Sequence, residues 1–187
     1  MIYETVVTTL AGDGAAHVAP MGVRYDDDAV VLMPFKPSTT LDNVLALRCA
    51  VVNFTTDVRV FAGCVTGRRD WPLVPAERVR GARLANSLGH AELELVSMQD
   101  DATRPVLRMK RVFEAAHERF AGFNRAQAAV IEGAVLVSRL RMLPREKIDA
   151  ELKYLQIAID KTAGPQERQA WDWLVEAVVA FHAEVKS

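Results

Sequence analysis

The amino-acid sequence predicts an α+β fold, in which a β-rich first half is followed by three helices. Up to about residue 117, short runs of β-branched and apolar residues alternate with turn residues. After Gly122 the apolar residues recur at helical spacing instead. We therefore expect a β domain over residues 1–122 and a helical region over residues 123–187.

The strands of the β domain are predicted from apolar runs and the turns that bound them. Gly12-Asp13-Gly14 supplies one turn, and the acidic residues 25–28 supply the next. A short amphipathic helix over residues 39–48 then precedes a further strand. The runs that we assign to strands are residues 2–9, 17–23, 29–33, 50–54, 90–98 and 106–117.

Two segments of the first half are less regular. Residues 58–66 fit either a helix or a strand, because Val60, Phe61 and Val65 form a helical stripe in a segment of strand length. Residues 67–86 are polar and proline-containing, so they are predicted as a loop. That length is unusual in a compact domain and indicates a functional loop or one ordered by packing.

The C-terminal helices are predicted from their start and stop residues. Asn124 resembles an N-cap for a helix that runs to about Met142, and Pro144 suits the first turn of the next helix. Gly164-Pro165 separates the second helix from the third. The third helix places Trp171, Leu174, Val178 and Phe181 on one face.

Composition excludes several classes of function. The net charge of −1 argues against general nucleic-acid binding, since no excess of cations displaces counterions. No apolar run is long enough to span a bilayer, and no secretion signal is visible. We expect a cytoplasmic protein without nucleic-acid or membrane partners. Cys49 and Cys64 are isolated, which indicates buried thiols rather than a disulfide or a metal site.

Searches for catalytic pairs and metal ligands give no site. The histidines are scattered, which argues against zinc. Glu92 and Glu94 alternate along a predicted strand and are interpreted as surface residues. No catalytic acid or base is identified from the sequence.

The start of the first helix suits an anion. Lys36, Ser38, Thr39 and Thr40 bring a cation and three hydroxyls to a helix N-terminus, where unpaired N–H groups and the helix dipole favour a phosphate. The alternative is that Ser38 or Thr39 only caps the helix, with Thr39 and Asp42 approximating a capping box.

Three segments resemble the FMN-binding split-barrel superfamily of flavin reductase-like proteins: residues 19–23, 34–43 and 51–57. More narrowly, the chain resembles the DUF447 family, in which a split barrel is joined to a helical C-terminal region. Residues 123–126, 131–132 and 138–140 carry that second likeness. The resemblance implies an FMN-binding split β-barrel followed by a three-helix region.

The resemblance also implies where FMN would be held. It places Pro20, Met21 and Gly22 against the flavin ring, together with Asn53, Phe54 and Thr55 from a second strand. Phe35 completes the candidate set beside the phosphate residues. For Gly22 the alternative is an ordinary turn glycine, and for Phe35 and Phe54 it is the core. The amide of Asn53 needs a partner if buried, either a flavin atom or neighbouring backbone.

Partners and activity are further implications of the resemblance. We expect a homodimer with the flavin near the subunit interface. Because no separate nicotinamide-binding motif is present, any NAD(P)H would bind transiently over the flavin. The expected function is an oxidoreductase that uses flavin N5 for hydride or electron transfer. The alternatives are a non-enzymatic sensor or carrier of FMN or another anionic ligand, and a helix-mediated assembly module.

Arg125, Glu132 and Arg139 are spaced by seven residues, so they are predicted to share one face of the first C-terminal helix. We interpret them as a paired network between helices or subunits. In the alternative interpretation, one arginine reaches the cofactor phosphate or an anionic substrate. Gly133 in the same helix is unfavourable unless another group approaches it closely.

Overall fold

The computed structural model describes residues 1–184, and the chain divides into two compact units. Residues 1–55 and 70–120 form a β unit. Residues 56–69 and the chain from residue 121 onward form a helical unit. The prediction of a single boundary near residue 122 did not assign residues 56–69 to the helical unit.

Six strands of the β unit close an antiparallel barrel, which confirms the predicted α+β class. The barrel order is β1-β2-β3-β8-β7-β4, and β5 and β6 form a separate hairpin. The strands are β1 (Tyr3–Leu10), β2 (Ala16–Asp26), β3 (Ala29–Leu32), β4 (Cys49–Phe54), β5 (Leu73–Pro75), β6 (Ala82–Leu84), β7 (Gly89–Gln99) and β8 (Val106–Ala116).

The barrel interior is filled by aliphatic side chains from alternate strand positions. Val7, Val52 and Leu107 are among its fully buried members. Each such side chain contributes about 1.5–3 kcal/mol on burial. Helix α1 (Thr39–Leu47) adds Leu41 and Val44 to the same core, so the start of this helix is fixed to the barrel.

Residues 67–86, predicted as a loop that is functional or ordered by packing, include the ordered β5–β6 hairpin. The connection between these strands lies directly against β4: a Cβ on Gly81 would be 3.0 Å from Val51 Cγ2. The hairpin therefore covers the outer face of part of the barrel. Its sequence is typical of a loop, because buried polar contacts with Glu92 and Asn53 order this segment.

The described residues of the helical unit, up to residue 184, form four helices. Residues 58–66, for which a strand was the alternative, include a helix. Asn124 is the N-cap of the first C-terminal helix and accepts a hydrogen bond from Ala126 N at 2.8 Å. That helix ends at Val137, earlier than predicted. The helices are α2 (Arg59–Val65), α3 (Arg125–Val137), α4 (Arg145–Thr162) and α5 (Pro165–Glu184).

Helices α3 and α5 pack closely at Gly133. A Cβ at this position would lie 2.9 Å from Trp171 Cζ3 and 3.0 Å from Leu174 Cδ1. The close approach expected at Gly133 is therefore confirmed. Trp171, Leu174 and Val178 are buried on α5, while Phe181 is half-buried. No helix within residues 1–184 has the length and apolar character needed to cross a membrane.

The prediction that Arg125, Glu132 and Arg139 share one face of α3 is wrong for Arg139, which lies beyond the end of the helix. Arg125, Glu132 and Arg139 are all exposed, and the buried face of α3 consists of small and aliphatic residues. The stripe is thus not buried within the helical unit. Its pairing across a subunit interface stays a prediction.

Candidate functional site

The turn that leads into α1 presents the predicted anion-binding groups at the helix N-terminus. Ser38 is the N-cap, and its Oγ accepts a hydrogen bond from Leu41 N at 3.3 Å. The capping-box interpretation, which needs Thr39 at the N-cap, is therefore wrong. Thr39 is exposed in the first turn, whereas the Thr40 side chain is buried. The first N–H groups of an α-helix have no intrahelical acceptor.

The loop between β7 and β8 brings further charges to this turn. Lys36 Nζ lies 2.8 Å from Asp100 Oδ1, and both side chains are exposed. The hydrogen bond from Lys36 lowers the pKa of Asp100 below its ordinary value. Lys36 N also donates to Thr103 O at 2.9 Å, which fixes the loop to the turn.

An exposed aromatic ring lies beside the same loop. Phe35 is 59% exposed, so its alternative assignment to the core is wrong. The guanidinium carbon of Arg104 is 4.5 Å from the Phe35 ring centroid. Asp101 Oδ1 accepts hydrogen bonds from Arg104 N and Thr103 N, which lower the pKa of Asp101 and order the loop. Arg104 was not predicted as a site residue, because it is distant from Phe35 in the chain and meets it only in the folded protein.

The two segments expected to contact a flavin ring lie on strands that flank β1. Val6 of β1 pairs with Pro20 on one side and with Asn53 on the other. The two segments are therefore about 10 Å apart across the sheet, two strand spacings. Thr55 directly follows β4.

Other members of these segments connect them to the barrel core. Met21 and Phe54 are half-buried and pack against the cluster that includes Leu41 of α1. Gly22 lies within β2 rather than in a turn, and a Cβ there would be 2.6 Å from Ile2 Cγ2. The two segments expected to contact the flavin ring and the start of α1 thus pack against the same core cluster.

Asn53 is fully buried, and its amide is bonded within the protein. Nδ2 donates to Val6 O at 3.0 Å and to Thr8 Oγ1 at 2.9 Å. Oδ1 accepts from Leu84 N at 2.7 Å. Of the two partners considered for this amide, the structure shows the neighbouring backbone. The side chain joins β1, β4 and β6.

Glu92 forms a second buried polar centre, and its assignment to the surface is wrong. It is 0% exposed, whereas Glu94 is exposed. Its carboxylate accepts hydrogen bonds from the backbone N–H groups of residues 77, 78 and 79 at 2.6–2.8 Å. Burial alone would raise the pKa of Glu92, but these donors and His90 lower it below its ordinary value.

Two histidines extend this centre to the surface. His90 is fully buried, and its Nε2 lies 3.2 Å from Glu92 Oε1. His90 Nδ1 lies 2.9 Å from Nε2 of His117, which is exposed. Sequence analysis missed this chain because residues 27 positions apart meet only through the pairing of β7 with β8. Within the described residues, no group of three or more His, Cys, Asp or Glu is arranged to hold a metal.

The closed six-stranded antiparallel barrel of the β unit has the split-barrel fold. A family model described as the DUF447 N-terminal domain, of unknown function, matches residues 3–118. The corresponding C-terminal model matches residues 124–176. The chain belongs to the DUF447 family.

Solved structures share this fold. The FMN-bound DUF447 protein of Methanosarcina mazei is 20% identical, with a TM-score of 0.80 over 94% of each chain. The 2-nitrobenzoate 2-nitroreductase of Pseudomonas fluorescens is 18% identical, with a TM-score of 0.53 over 61% of this chain and 64% of that chain. The NADH:FAD oxidoreductase SgcE6 of Streptomyces globisporus is 14% identical, with a TM-score of 0.52 over 61% and 75%.

Proposed function

We propose that this chain is an FMN-binding flavoprotein and that the turn before α1 holds the phosphate. The observation that carries the proposal is the N-terminus of α1, where Lys36, Ser38 and Thr39 stand beside the first N–H groups of the helix. These groups suit a phosphate monoester in charge and in donor number. The FMN-bound DUF447 protein, which is similar along almost the whole chain, supports the same ligand.

The accessible groups of the turn differ in their proposed roles. Lys36 supplies positive charge, and its ion pair with Asp100 is exposed enough to rearrange around an anion. The hydroxyl groups of Ser38 and Thr39 would donate to phosphate oxygens. Thr40 would act through its backbone N–H, because its side chain is buried. Arg104 is a further cation beside the turn and would strengthen the positive potential.

Residues of β2 and β4 would hold the flavin ring. Pro20, Met21 and Gly22 offer a strand surface with a small residue, and Phe54 and Thr55 offer the end of a second strand. Asn53 would fix these strands in position, since its Nδ2 donates to Val6 O and Thr8 Oγ1 and its Oδ1 accepts from Leu84 N. When bound, FMN supplies hydride or electron transfer at N5.

FMN rather than FAD is the proposed ligand. The turn before α1 is a compact anion site, and residues 1–184 show no second phosphate-binding element for an adenosine diphosphate group. An oxidoreductase function is part of the proposal, because two structural relatives are named as a nitroreductase and an NADH:FAD oxidoreductase. NAD(P)H would bind transiently over the flavin.

We also propose a homodimer with the flavin near the subunit interface. The support is the resemblance to split barrels together with the exposed ring of Phe35, which a second subunit or the flavin would cover. A cytoplasmic location belongs to the same proposal. Neither cysteine is in a disulfide, as is usual in a reducing compartment.

The test begins with the absorbance spectrum of the purified protein and the mass of any released ligand. The apo protein is then titrated with FMN and with FAD. Tighter binding of FMN supports the proposal, and tighter binding of FAD contradicts the choice of ligand. Rapid bleaching of bound flavin by NADH or NADPH separates an oxidoreductase from a carrier or sensor. Sedimentation velocity tests the homodimer.

A further inference from the structure

A chain of three side chains leads from the buried outer face of the barrel to its surface. Glu92 Oε1 lies 3.2 Å from His90 Nε2, and His90 Nδ1 lies 2.9 Å from His117 Nε2. The first two residues are fully buried, and His117 is exposed. The two imidazole rings are nearly parallel, with an interplanar angle of 13°.

The hydrogen-bond partners determine where protons lie in this chain. The ionised Glu92 carboxylate is only an acceptor, so the Nε2 of His90 carries a hydrogen. In the neutral pair, the Nδ1 of His90 then accepts a hydrogen bond from the Nε2–H of His117. When the pair gains one proton, His90 becomes the cation beside Glu92, and its Nδ1–H donates to His117. The added proton enters or leaves at Nδ1 of His117.

The charges around the pair favour this distribution. Partial desolvation, the positive charge of Arg83 and the neighbouring His90 lower the pKa of His117, against the opposing charge of Glu77. This lowered pKa disfavours a cation on the His117 ring, while the Glu92 carboxylate lies within hydrogen-bond distance of the His90 ring. Phe113 packs beside the His90 ring, with centroids 5.7 Å apart.

The backbone of His117 is joined through Leu88 to the end of β4, which carries residues assigned to the flavin ring. His90 pairs with Asn53, and Leu88 N donates to Phe54 O at 2.8 Å. His117 N in turn donates to Leu88 O at 2.7 Å. One backbone carbonyl and one amide thus connect His117 to the end of β4.

We propose that Glu92, His90 and His117 form a proton relay and that His117 exchanges protons with the substrate at the flavin site. This inference rests on the proposed function, and it supplies the acid–base group that sequence analysis did not identify. Glu92 and His90 are positioning residues, since they act through His117. The substrate class is a two-electron acceptor that must also gain a proton, such as a quinone.

The flavin, the substrate, the two histidines and solvent account for every proton and electron in the proposed reaction. With FMN bound, the cofactor would supply a hydride with its electron pair, and Nδ1 of His117 would supply the proton that completes the reduction of a quinone to a hydroquinone. The Nδ1–H of His90 moves to Nε2 of His117, and His90 becomes neutral. A proton from solvent enters at His117 and restores the cation on His90.

The first measurement needs no flavin activity. Imidazole ¹⁵N chemical shifts of the apo protein are followed from pH 5 to 8. We expect the ¹⁵N signals of the two rings to change together as one coupled pair, with the hydrogen of His90 on Nε2, toward Glu92. In Glu92→Gln this placement of the hydrogen should be lost, because the amide NH₂ group can donate to Nε2 of His90. Independent titration of the two rings in the wild type overturns the relay.

The second measurement compares half-reactions by stopped flow, with FMN-loaded protein that has been reduced by dithionite. Mixing with 1,4-benzoquinone should be slower in His117→Gln by roughly 10²-fold, and the pH dependence seen in the wild type should disappear. Oxidation by ferricyanide, which takes only electrons, should be little changed. The matched control is His182→Gln, a histidine variant on α5 in the helical unit.

The outcomes separate this inference from the proposed function. If the wild type does not bind FMN, the proposed function fails, and the relay loses its role at a flavin site. If FMN binds with equal affinity in wild type and His117→Gln but the quinone reaction is equally fast, the relay alone is overturned. His117→Gln is a surface substitution, so it stays informative even if Glu92→Gln does not fold.

Discussion

The turn before α1 and the hairpin-covered face around Glu92 both gather polar side chains on one barrel, yet they use them differently. At the turn, Lys36 and Thr39 are exposed, and the ion pair of Lys36 is open to solvent. Around Glu92, each carboxylate oxygen accepts two hydrogen bonds from buried or partly buried donors. The turn keeps donors accessible for an anion, whereas the carboxylate is saturated by the protein.

This difference separates ligand binding from fold maintenance in physical terms. A buried carboxylate is tolerated only when donors replace its lost hydration, and Glu92 obtains them from the backbone of residues 77–79. The β5–β6 hairpin is thereby held on the barrel. An exposed cation and hydroxyls cost little to keep hydrated until a ligand arrives. Substitutions in the two regions should therefore change different measured quantities.

The largest expected effect is on stability, in Glu92→Gln. The amide cannot accept all four hydrogen bonds, and its NH₂ group faces backbone donors. We expect the free energy of unfolding to fall by about 2–4 kcal/mol. Glu94→Gln, on the same strand but exposed, is the matched control and should change it by less than about 0.5 kcal/mol. Urea unfolding measures both, and equal effects would contradict the structural role of Glu92.

The stability of wild type and Glu92→Gln can also be compared as a function of pH. Because the pKa of Glu92 is lowered in the folded state, its ionised form stabilises the fold above the unfolded pKa of about 4.3. That stabilisation is lost as pH falls through the lowered folded value. The stability gap between wild type and Glu92→Gln should stay constant from pH 8 to 5 and narrow below pH 4. A gap that widens on acidification would contradict the direction of the shift.

The next effect is on binding, in Thr39→Ala. A hydrogen bond from Thr39 to a phosphate oxygen is charge-assisted and contributes about 1.5–3 kcal/mol, so the Kd for FMN should rise at least tenfold. The free energy of unfolding should change by less than about 0.5 kcal/mol, because the side chain is exposed. Ser97→Ala, an exposed hydroxyl on β7, controls for general effects. Unchanged FMN affinity in Thr39→Ala would remove Thr39 from the site.

The smallest expected effect is a gain in FMN affinity rather than a loss. Asp100→Asn releases Lys36 from its ion pair, so the Kd for FMN should fall by about twofold to fivefold. The exposed pair is weak, and the gain should shrink at high salt. Fluorescence titration at two ionic strengths measures it. Weaker binding in Asp100→Asn would mean that Asp100 supports the ligand rather than competing with it.

Much of the fold could be predicted because the apolar pattern is local. The barrel strands and the C-terminal helices follow from runs of residues whose period is visible in the sequence. The β5–β6 hairpin could not be predicted in this way, since its order depends on Glu92 and Asn53, which contact it from distant strands. The end of α3 at Val137 was also missed, because the apolar pattern continues past it.

The residues of the candidate site also differ in whether they could be predicted from the sequence. Lys36, Ser38 and Thr39 are neighbours in sequence at a helix start, so their clustering was visible without coordinates. Arg104 meets Phe35, and His90 meets His117, only after strands separated in sequence have paired. Glu92 was misread because alternation along β7 predicts an exposed side, which the hairpin covers.

The most direct test compares FMN with riboflavin, which has the same ring but no phosphate. Apo wild type and the Ser38→Ala/Thr39→Ala double variant are each titrated with both flavins by fluorescence quenching. The account predicts that wild type binds FMN at least 100-fold more tightly than riboflavin, since several charge-assisted bonds of about 1.5–3 kcal/mol depend on the phosphate. In the double variant most of that preference should disappear, while riboflavin affinity stays unchanged. Equal affinity of wild type for FMN and riboflavin would contradict the assignment of the turn as the phosphate site.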